Sequence, residues 1–354
     1  MKLGFLGLPG GGKTTCFCMV TGRELAELAG RAESHIAVVK IPDERLPRLA
    51  DIFGSARMVE PELTFVDVMA LHKGESGSVR EEKLTRVAGD ADAFALVIQC
   101  HGDLDHEANP LDPRADLEAL LLETVLTDLA VVEGRLARID AELKASRDRT
   151  SWERDLLQRV ADQLSADGVV RDLEFTADED RQLRGFNLLT QKPLLVVLNV
   201  AEDDMACERA GDALELASER GLSSIAVSAE LELELAELAE DERGEFLAGY
   251  GLTEPGRDRF IRACYELLDA ITFFTANRNE AHAWTITAGA TAHEAAGKVH
   301  SDMYEGFIRA QVIPFDKLDE LGSEAACREA GAVRLEGRDH VVREGDVLEI
   351  RFSR

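Results

Sequence analysis

At 354 residues and 45% hydrophobic content, the chain is long enough for roughly two or three domains with their own cores, and too apolar for wholesale disorder. Its 68 acids against 40 Lys and Arg give a formal charge of −28, which excludes generic attraction to nucleic-acid phosphates; any RNA contact would need a local patch. No apolar run approaches the ~20 residues of a membrane span. Lys2 leads directly into a strand-like segment instead of a secretory signal, so no membrane contact is expected. The six cysteines (Cys16, Cys18, Cys100, Cys207, Cys264 and Cys327) form no C-x-x-C pair or metal-ligand spacing. They read as reduced thiols of a cytoplasmic protein.

Residues Gly7 to Thr14 fit G-x-x-x-x-G-K-[ST], with the apolar run Leu3 to Leu6 before them and Thr15-Cys16-Phe17-Cys18-Met19-Val20 after. That strand–loop–helix setting predicts a cradle for a nucleoside triphosphate. Glycines let backbone N–H groups close around an anion without Cβ clashes, and the following helix turns its positive end to the phosphates. Lys13 reaches the β/γ oxygens, and Thr14 offers a hydroxyl to Mg²⁺.

Ile36 to Ile41 reads as a strand, and Pro42-Asp43-Glu44-Arg45-Leu46 starts a short helix. Leu63-Thr64-Phe65-Val66-Asp67 is a second strand ending in an acid. A solvated strand end is the plainer account of Asp67; the P-loop upstream favours a hold on Mg²⁺ opposite Thr14. Phe94 to Cys100 is an apolar strand but for Gln99, as in a parallel sheet covered on both faces.

From Asp112 the pattern changes. Val125, Leu129, Val132, Leu136, Ile139 and Leu143 alternate four- and three-residue steps; Leu157, Val160 and Leu164 resume that spacing after a polar break from Lys144 to Ser151. This predicts an antiparallel helical hairpin whose stripe packs arm against arm, with the tip a candidate partner contact. Thr176-Ala177-Asp178-Glu179 is a capping box for the helix returning to the core.

Pro193 to Asn199 is another buried strand, delivering Asn199-Val200-Ala201-Glu202 at the carboxyl end where open α/β sheets place ligands. After a helix ending near Gly221, Ile225-Ala226-Val227 leads to Ser228-Ala229-Glu230, and acidic, leucine-rich Leu231 to Glu245 reads as surface helix. Strands alternating with helices predict a parallel sheet with right-handed crossovers. The last ~80 residues differ: strands at Ala283 to Ile286, Arg309 to Ile313 and Val347 to Phe352, a Gly345-Asp346 turn, and a helix capped by Thr291-Ala292-His293-Glu294. From Asn277 this mixed α+β module carries 14 acids against 10 Lys and Arg and half of the eight histidines, which makes it the candidate RNA-facing part.

These residues resemble the Obg-like ATPases of the YchF type, over nearly the whole chain. The most specific stretches are Gly251-Leu252-Thr253-Glu254-Pro255-Gly256, Ala283-Trp284-Thr285-Ile286, Gly289-Ala290-Thr291-Ala292, Ala295-Ala296-Gly297-Lys298-Val299-His300 and Gly306-Phe307-Ile308-Arg309-Ala310. The resemblance implies an α/β P-loop NTPase sheet with an inserted antiparallel helical hairpin and a C-terminal β-grasp (TGS) domain. The segments are 1–111 and 186–275 for the nucleotide-binding domain, 112–185 for the helical coiled coil and 276–354 for the TGS domain. It further implies ATP hydrolysis with Mg²⁺ and association with the ribosome or structured RNA through the TGS and helical domains.

Base choice can be argued from residues. A guanine reader ends its strand in N-K-x-D, whose aspartate accepts from the N1–H and N2–H₂ donors. Here the lysine position is Val200 and the acid, Glu202, is one methylene longer. Adenine lacks the N2 donor, so the segment favours ATP, with GTP the alternative, and Asn199 and the Val200 backbone read the adenine edge. The expected nucleotide-binding set is Gly7, Pro9, Gly10, Gly11, Gly12, Lys13, Thr14, Thr15, Asn199, Val200, Glu202, Ser228 and Ala229, with Lys13 catalytic and Thr14 and Asp67 on the metal.

The chain departs from the family's pattern. Gly10-Gly11 replaces an Asn-Val pair whose asparagine helps a potassium ion assist catalysis. No threonine occurs between Gly22 and Thr64, leaving Ser34 as the nearest substitute for a second Mg²⁺ ligand. Ala70 stands where D-x-x-G has its glycine, and the segment Leu71 to Gly77 is short. Leu71 takes the place where many GTPases put a water-orienting glutamine, which the family also replaces by a hydrophobic residue. Two readings follow: a slow ATPase acting as a conformational switch on the ribosome, or a nucleotide-binding interaction module with little or no hydrolysis. A small-molecule kinase is disfavoured by the C-terminal module and the lack of an arginine-rich lid.

Overall fold

A computed structural model of the chain describes residues 1–28, 35–68, 89, 91–145 and 151–353. The first elements are β1 (Lys2–Gly7), α1 (Lys13–Thr21), α2 (Leu25–Leu28), β2 (His35–Lys40), α3 (Arg45–Phe53), β3 (Arg57–Val59), β4 (Glu62–Asp67) and β5 (Ala93–Cys100). Next come α4 (Pro113–Ala145), α5 (Ser151–Ser165), α6 (Ala177–Leu183), β6 (Leu194–Val200), α7 (Gly211–Glu219), β7 (Ser223–Val227), α8 (Ala229–Glu237), α9 (Glu240–Gly249) and α10 (Gly256–Leu267). The chain ends with β8 (Ala270–Ala276), β9 (Glu280–Thr287), α11 (Ala292–Val299), α12 (Ser301–Glu305), β10 (Phe307–Pro314), α13 (Phe315–Leu321), α14 (Glu324–Glu329), β11 (Arg334–Glu336) and β12 (Asp346–Phe352).

The chain divides into two packing units, Lys2–Ala37 with Phe65–Leu267, and Met1 with Val38–Thr64 and Leu268–Arg354. In the first, β1, β5, β6 and β7 pair in parallel within a sheet ordered β2-β4-β1-β5-β6-β7. β5 and β6, apolar but for Gln99 and Asn199 near their carboxyl ends, are buried along almost their entire length because helices cover both faces. Phe5 of β1 stacks on Phe260 of α10 at 5.5 Å and meets Phe17 of α1 edge-on at 6.2 Å, fixing the P-loop helix to the sheet.

The expected hairpin is α4 against α5, with Val125, Val132, Leu136 and Ile139 in one core with Leu157, Val160 and Leu164, and Leu129 packed at its margin. Arg135 grips Glu153 through two hydrogen bonds of 2.9 and 3.0 Å, and Arg154 reaches Asp140 at 2.8 Å. The side chain of Leu143 and the polar tip at 146–150 lie outside the described residues. At the base, buried Asp128 of α4 accepts from the Leu189 and Thr190 amides, both at 2.7 Å, and from the Thr190 hydroxyl at 2.6 Å. Thr176 and Glu179 form both halves of the capping box.

The second unit is a β-grasp sheet, β11-β10-β12-β8-β9-β3, with α11 across one face. Its parallel pair β12 and β8 sits between antiparallel partners β10 and β9. The Thr291 capping box opens α11, and Gly345 makes the turn into β12 at φ +79°. Three strands escaped the sequence reading: β3, β8 and β11. β8 follows α10 with only two residues, Leu268 and Asp269, between and reads as a continuation of its apolar pattern. It pairs with β9 along its whole length, so this packing unit begins at Leu268, earlier than the 276 read from sequence. Residues 38–64, read as nucleotide-domain sequence, pack with this unit as well: α3 joins its core and β3 pairs with β9. A three-residue strand, Arg57-Met58-Val59, has too little pattern to announce itself without its partner.

The acidic stretch Leu231 to Glu245 is corrected from one surface helix to two, α8 and α9, with Leu231, Glu232 and Leu235 buried. Glu232 turns inward to accept from the Gly256 and Arg257 amides at 2.6 and 3.1 Å, capping α10 from a neighbouring helix. Composition cannot show such a contact.

Candidate functional site

The P-loop runs from the end of β1 into α1. Gly10 and Gly12 hold φ of +78° and +83°, backbone that a side chain would strain, and Gly12 is the N-cap of α1 with no side chain capping it. The first amides of α1, from Lys13 to Thr15, therefore carry the positive end of the helix with no capping side chain. Gly7 is equally constrained: a Cβ there would stand 2.9 Å from the Val97 carbonyl oxygen, and the Gly11 amide closes the loop on the Leu8 carbonyl at 3.3 Å. Pro9 lies on the loop's partly exposed crest.

Across the cradle mouth, Lys13 Nζ donates to Asp67 Oδ1 at 2.7 Å, and Thr14 Oγ1 donates to Asp67 Oδ2 at 2.9 Å. Both Lys13 and Asp67 side chains are largely buried. The carboxylate and hydroxyl oxygens thus lie side by side, the hard-oxygen chemistry that a cation such as Mg²⁺ takes. Among the described residues no group of three or more His, Cys, Asp or Glu forms a separate metal cluster. The thiol of Cys16, on the buried side of α1, is pushed up to about 12 by burial and is not a nucleophile.

The base-reading segment reaches the same loop. Asn199, at the end of β6, is buried; a Cβ on Gly12 would collide with its Nδ2, and its Oδ1 accepts from the Ala229 amide at 3.2 Å. One amide therefore ties the P-loop to the Ser228–Ala229 corner, where Ser228 precedes α8 and is also buried. Val200 is buried, with its side chain in the sheet core. Glu202 stands in the turn beyond β6 and accepts from the Tyr250 hydroxyl at 3.3 Å. Gly12, Lys13, Thr14, Asp67, Asn199 and Ala229 are thus brought together, with Glu202 on a separate contact.

Two residues next to this constellation carried no motif. His106 packs its Cβ against Gly10 and borders a small cavity of about 90 Å³ with Leu8, Pro9, Gly11, Gln99 and Asp116. It is held there by a closed loop: Asp105 Oδ1 accepts from the Glu107 and Asn109 amides at 2.8 and 2.9 Å, and Leu104 bridges Pro110. Those amides hold the Asp105 carboxyl below its ordinary range. Tyr250 is the second. Asp and Asn four residues apart in Asp105-His106-Glu107-Ala108-Asn109 are turn residues, but nothing local signals the loop's position over the P-loop. The sequence features at Ser34, Met69, Ala70 and Leu71 to Gly77 lie outside the described residues.

Residues 270–353 match the family model YchF-GTPase_C, described as a protein of unknown function (DUF933). The whole chain is similar to the protein named ribosome-binding ATPase YchF from Haemophilus ducreyi, 36% identical with 99% of each chain covered. It is 34% identical to the protein of that name from Bacillus subtilis, covering 100% of this chain and 99% of the relative. The chain belongs to the YchF family. The solved Schizosaccharomyces pombe YchF GTPase superposes with a TM-score of 0.83 at 25% identity, over 99% of this chain and 97% of that one. As a YchF-family member, the chain keeps the P-loop lysine and hydroxyl, the strand-end acid and the asparagine of the base-reading segment in one cluster.

Proposed function

We propose that this YchF-family chain is a Mg²⁺-dependent nucleotide switch that binds and slowly hydrolyses ATP and works with the ribosome in the cytoplasm. The observation that carries the reading is the convergence of Lys13, Thr14 and Asp67 at the uncapped start of α1, with Asn199 locked against Gly12. Thr14 and Asp67 would hold Mg²⁺, which supplies charge neutralisation on the β/γ-phosphates. Lys13 leaves Asp67 to bind the same phosphates, while the P-loop amides and the α1 terminus fix the chain of oxygens in line. His106 sets a titratable ring beside Gly10, in a chain whose Leu71 leaves no glutamine to orient water. It is our candidate for that task.

Adenine is favoured over guanine because Val200 offers only backbone and Glu202 replaces the short acid of a guanine reader. The ribosome as partner is supported by the names of the relatives, ribosome-binding ATPase YchF, with the C-terminal and helical parts as the surfaces we assign to it or to structured RNA.

A second reading, a nucleotide-binding module with little or no hydrolysis, is favoured by the Lys13–Asp67 ion pair, which occupies the catalytic lysine, and by Ala70 in the phosphate-sensing position. Single-turnover hydrolysis of ATP with and without ribosomes separates the two. Phosphate release above a Lys13→Ala control supports the ATPase; release no faster than that control leaves the binding module.

A further inference from the structure

The acid at the base-reading end has a partner that no motif signals. Tyr250, at the carboxyl end of α9, donates its hydroxyl to Glu202 Oε2 at 3.3 Å. Its ring is set by Phe246 one turn earlier, with centroids 5.3 Å apart, and its backbone by the Leu247 carbonyl, which takes the Tyr250 amide at 3.1 Å and the Leu252 amide at 2.9 Å. Among the described residues no Lys or Arg pairs with Glu202, so its partner is a neutral phenol that a competing donor can displace.

Guanine presents two adjacent donors on its Watson–Crick edge, N1–H and N2–H₂, and a carboxylate that reads both needs both of its oxygens. Adenine presents neither at those positions. We propose that Tyr250 is a specificity-determining positioning residue: by donating to Glu202 Oε2 it competes with guanine's paired donors for the carboxylate and for its orientation, and tilts the site towards adenine nucleotides. The inference rests on residues 199–202 being the base-reading segment of the proposed nucleotide site. It accounts for the pairing of the longer acid with this tyrosine.

The test is equilibrium titration of the full chain with MgATP and MgGTP, for the native protein, Tyr250→Phe, Glu202→Gln and the double variant. Tyr250→Phe keeps the ring against Phe246 and removes only the hydroxyl. It is expected to raise GTP affinity relative to ATP by roughly threefold to tenfold, the scale of one partly exposed hydrogen bond to a charged group. In the Glu202→Gln background, where a single carbonyl oxygen remains, the same substitution is expected to leave the ratio unmoved. An unchanged ratio in Tyr250→Phe, or an equal change without the Glu202 carboxylate, overturns the proposal while nucleotide binding itself stands. Failure of the native chain to take up either nucleotide is a distinct outcome, and it overturns the nucleotide-site reading and this inference with it.

Discussion

Asp67 holds Lys13: the lysine ammonium lies 2.7 Å from one carboxylate oxygen, and the other oxygen takes the Thr14 hydroxyl at 2.9 Å. The two side chains that a triphosphate and its metal would call on are thus satisfied by each other, in a site where Lys13 is 10% and Asp67 7% exposed. Phosphate must break the ion pair to reach the lysine, and a cation held by Asp67 and Thr14 would free that lysine. Asp67→Asn should therefore raise nucleotide affinity in the presence of a chelator by roughly tenfold and flatten its dependence on Mg²⁺. Titrations with and without Mg²⁺ check this; a variant with native Mg²⁺ dependence would show that the ion pair places no barrier before the phosphates.

Gly12→Ala meets two obstacles at once, a φ of +83° and the Asn199 amide. Relief of either moves the P-loop or the base-reading asparagine. Nucleotide affinity is expected to fall at least about a hundredfold, with a smaller change in stability because the loop lies beyond the carboxyl end of β1, outside the strand pairing. Binding and urea unfolding of the same sample separate the two effects.

His106→Ala should split the kinetics. The ring lies against the P-loop and not in the hydrogen-bonded Lys13–Asp67–Asn199 cluster, so ATP affinity is expected to stay within about threefold while single-turnover hydrolysis drops by roughly tenfold to a hundredfold. Equal loss in both measurements would reduce His106 to a packing residue.

Asp128 makes the base of the hairpin pH-sensitive. Burial pushes its carboxyl up to about 6 from 3.8, and the Thr190 and Leu189 hydrogen bonds only partly offset that rise. A raised folded value means the native state takes up the proton first, so this site stabilises the fold fully below about pH 4 and loses that contribution as pH rises through 6. The stability of the native chain minus that of Asp128→Asn, which does not titrate there, should grow by up to about 3 kcal/mol between pH 7.5 and pH 4. Urea unfolding of both proteins at the two pH values gives the difference.

Glu232→Ala leaves the Gly256 and Arg257 amides without their carboxylate in a buried setting. The expected loss is about 2–4 kcal/mol, read by urea unfolding, with Glu232→Gln losing less because one acceptor oxygen survives.

The sequence by itself determined what depends on local chemistry and period. Glycine spacing with Lys13 and Thr14 defines the P-loop because a phosphate cradle needs bare backbone followed at once by a helix. The buried runs at 94–100 and 193–199 are the central strands, and the Val125 to Ile139 stripe meets the Leu157 to Leu164 stripe, because apolar faces of fixed period can be satisfied in few ways. Both capping boxes form since all their atoms lie within four residues. Tertiary structure alone decided the contacts between residues far apart in the chain. It gave β3 its partner strand, turned Glu232 of an acidic helix inward to cap α10, set His106 against Gly10, joined Tyr250 to Glu202 and left Lys13 in the grip of Asp67. Each of these joins groups whose own neighbourhoods are unremarkable, and only the closure of the chain brings them within hydrogen-bond or van der Waals reach.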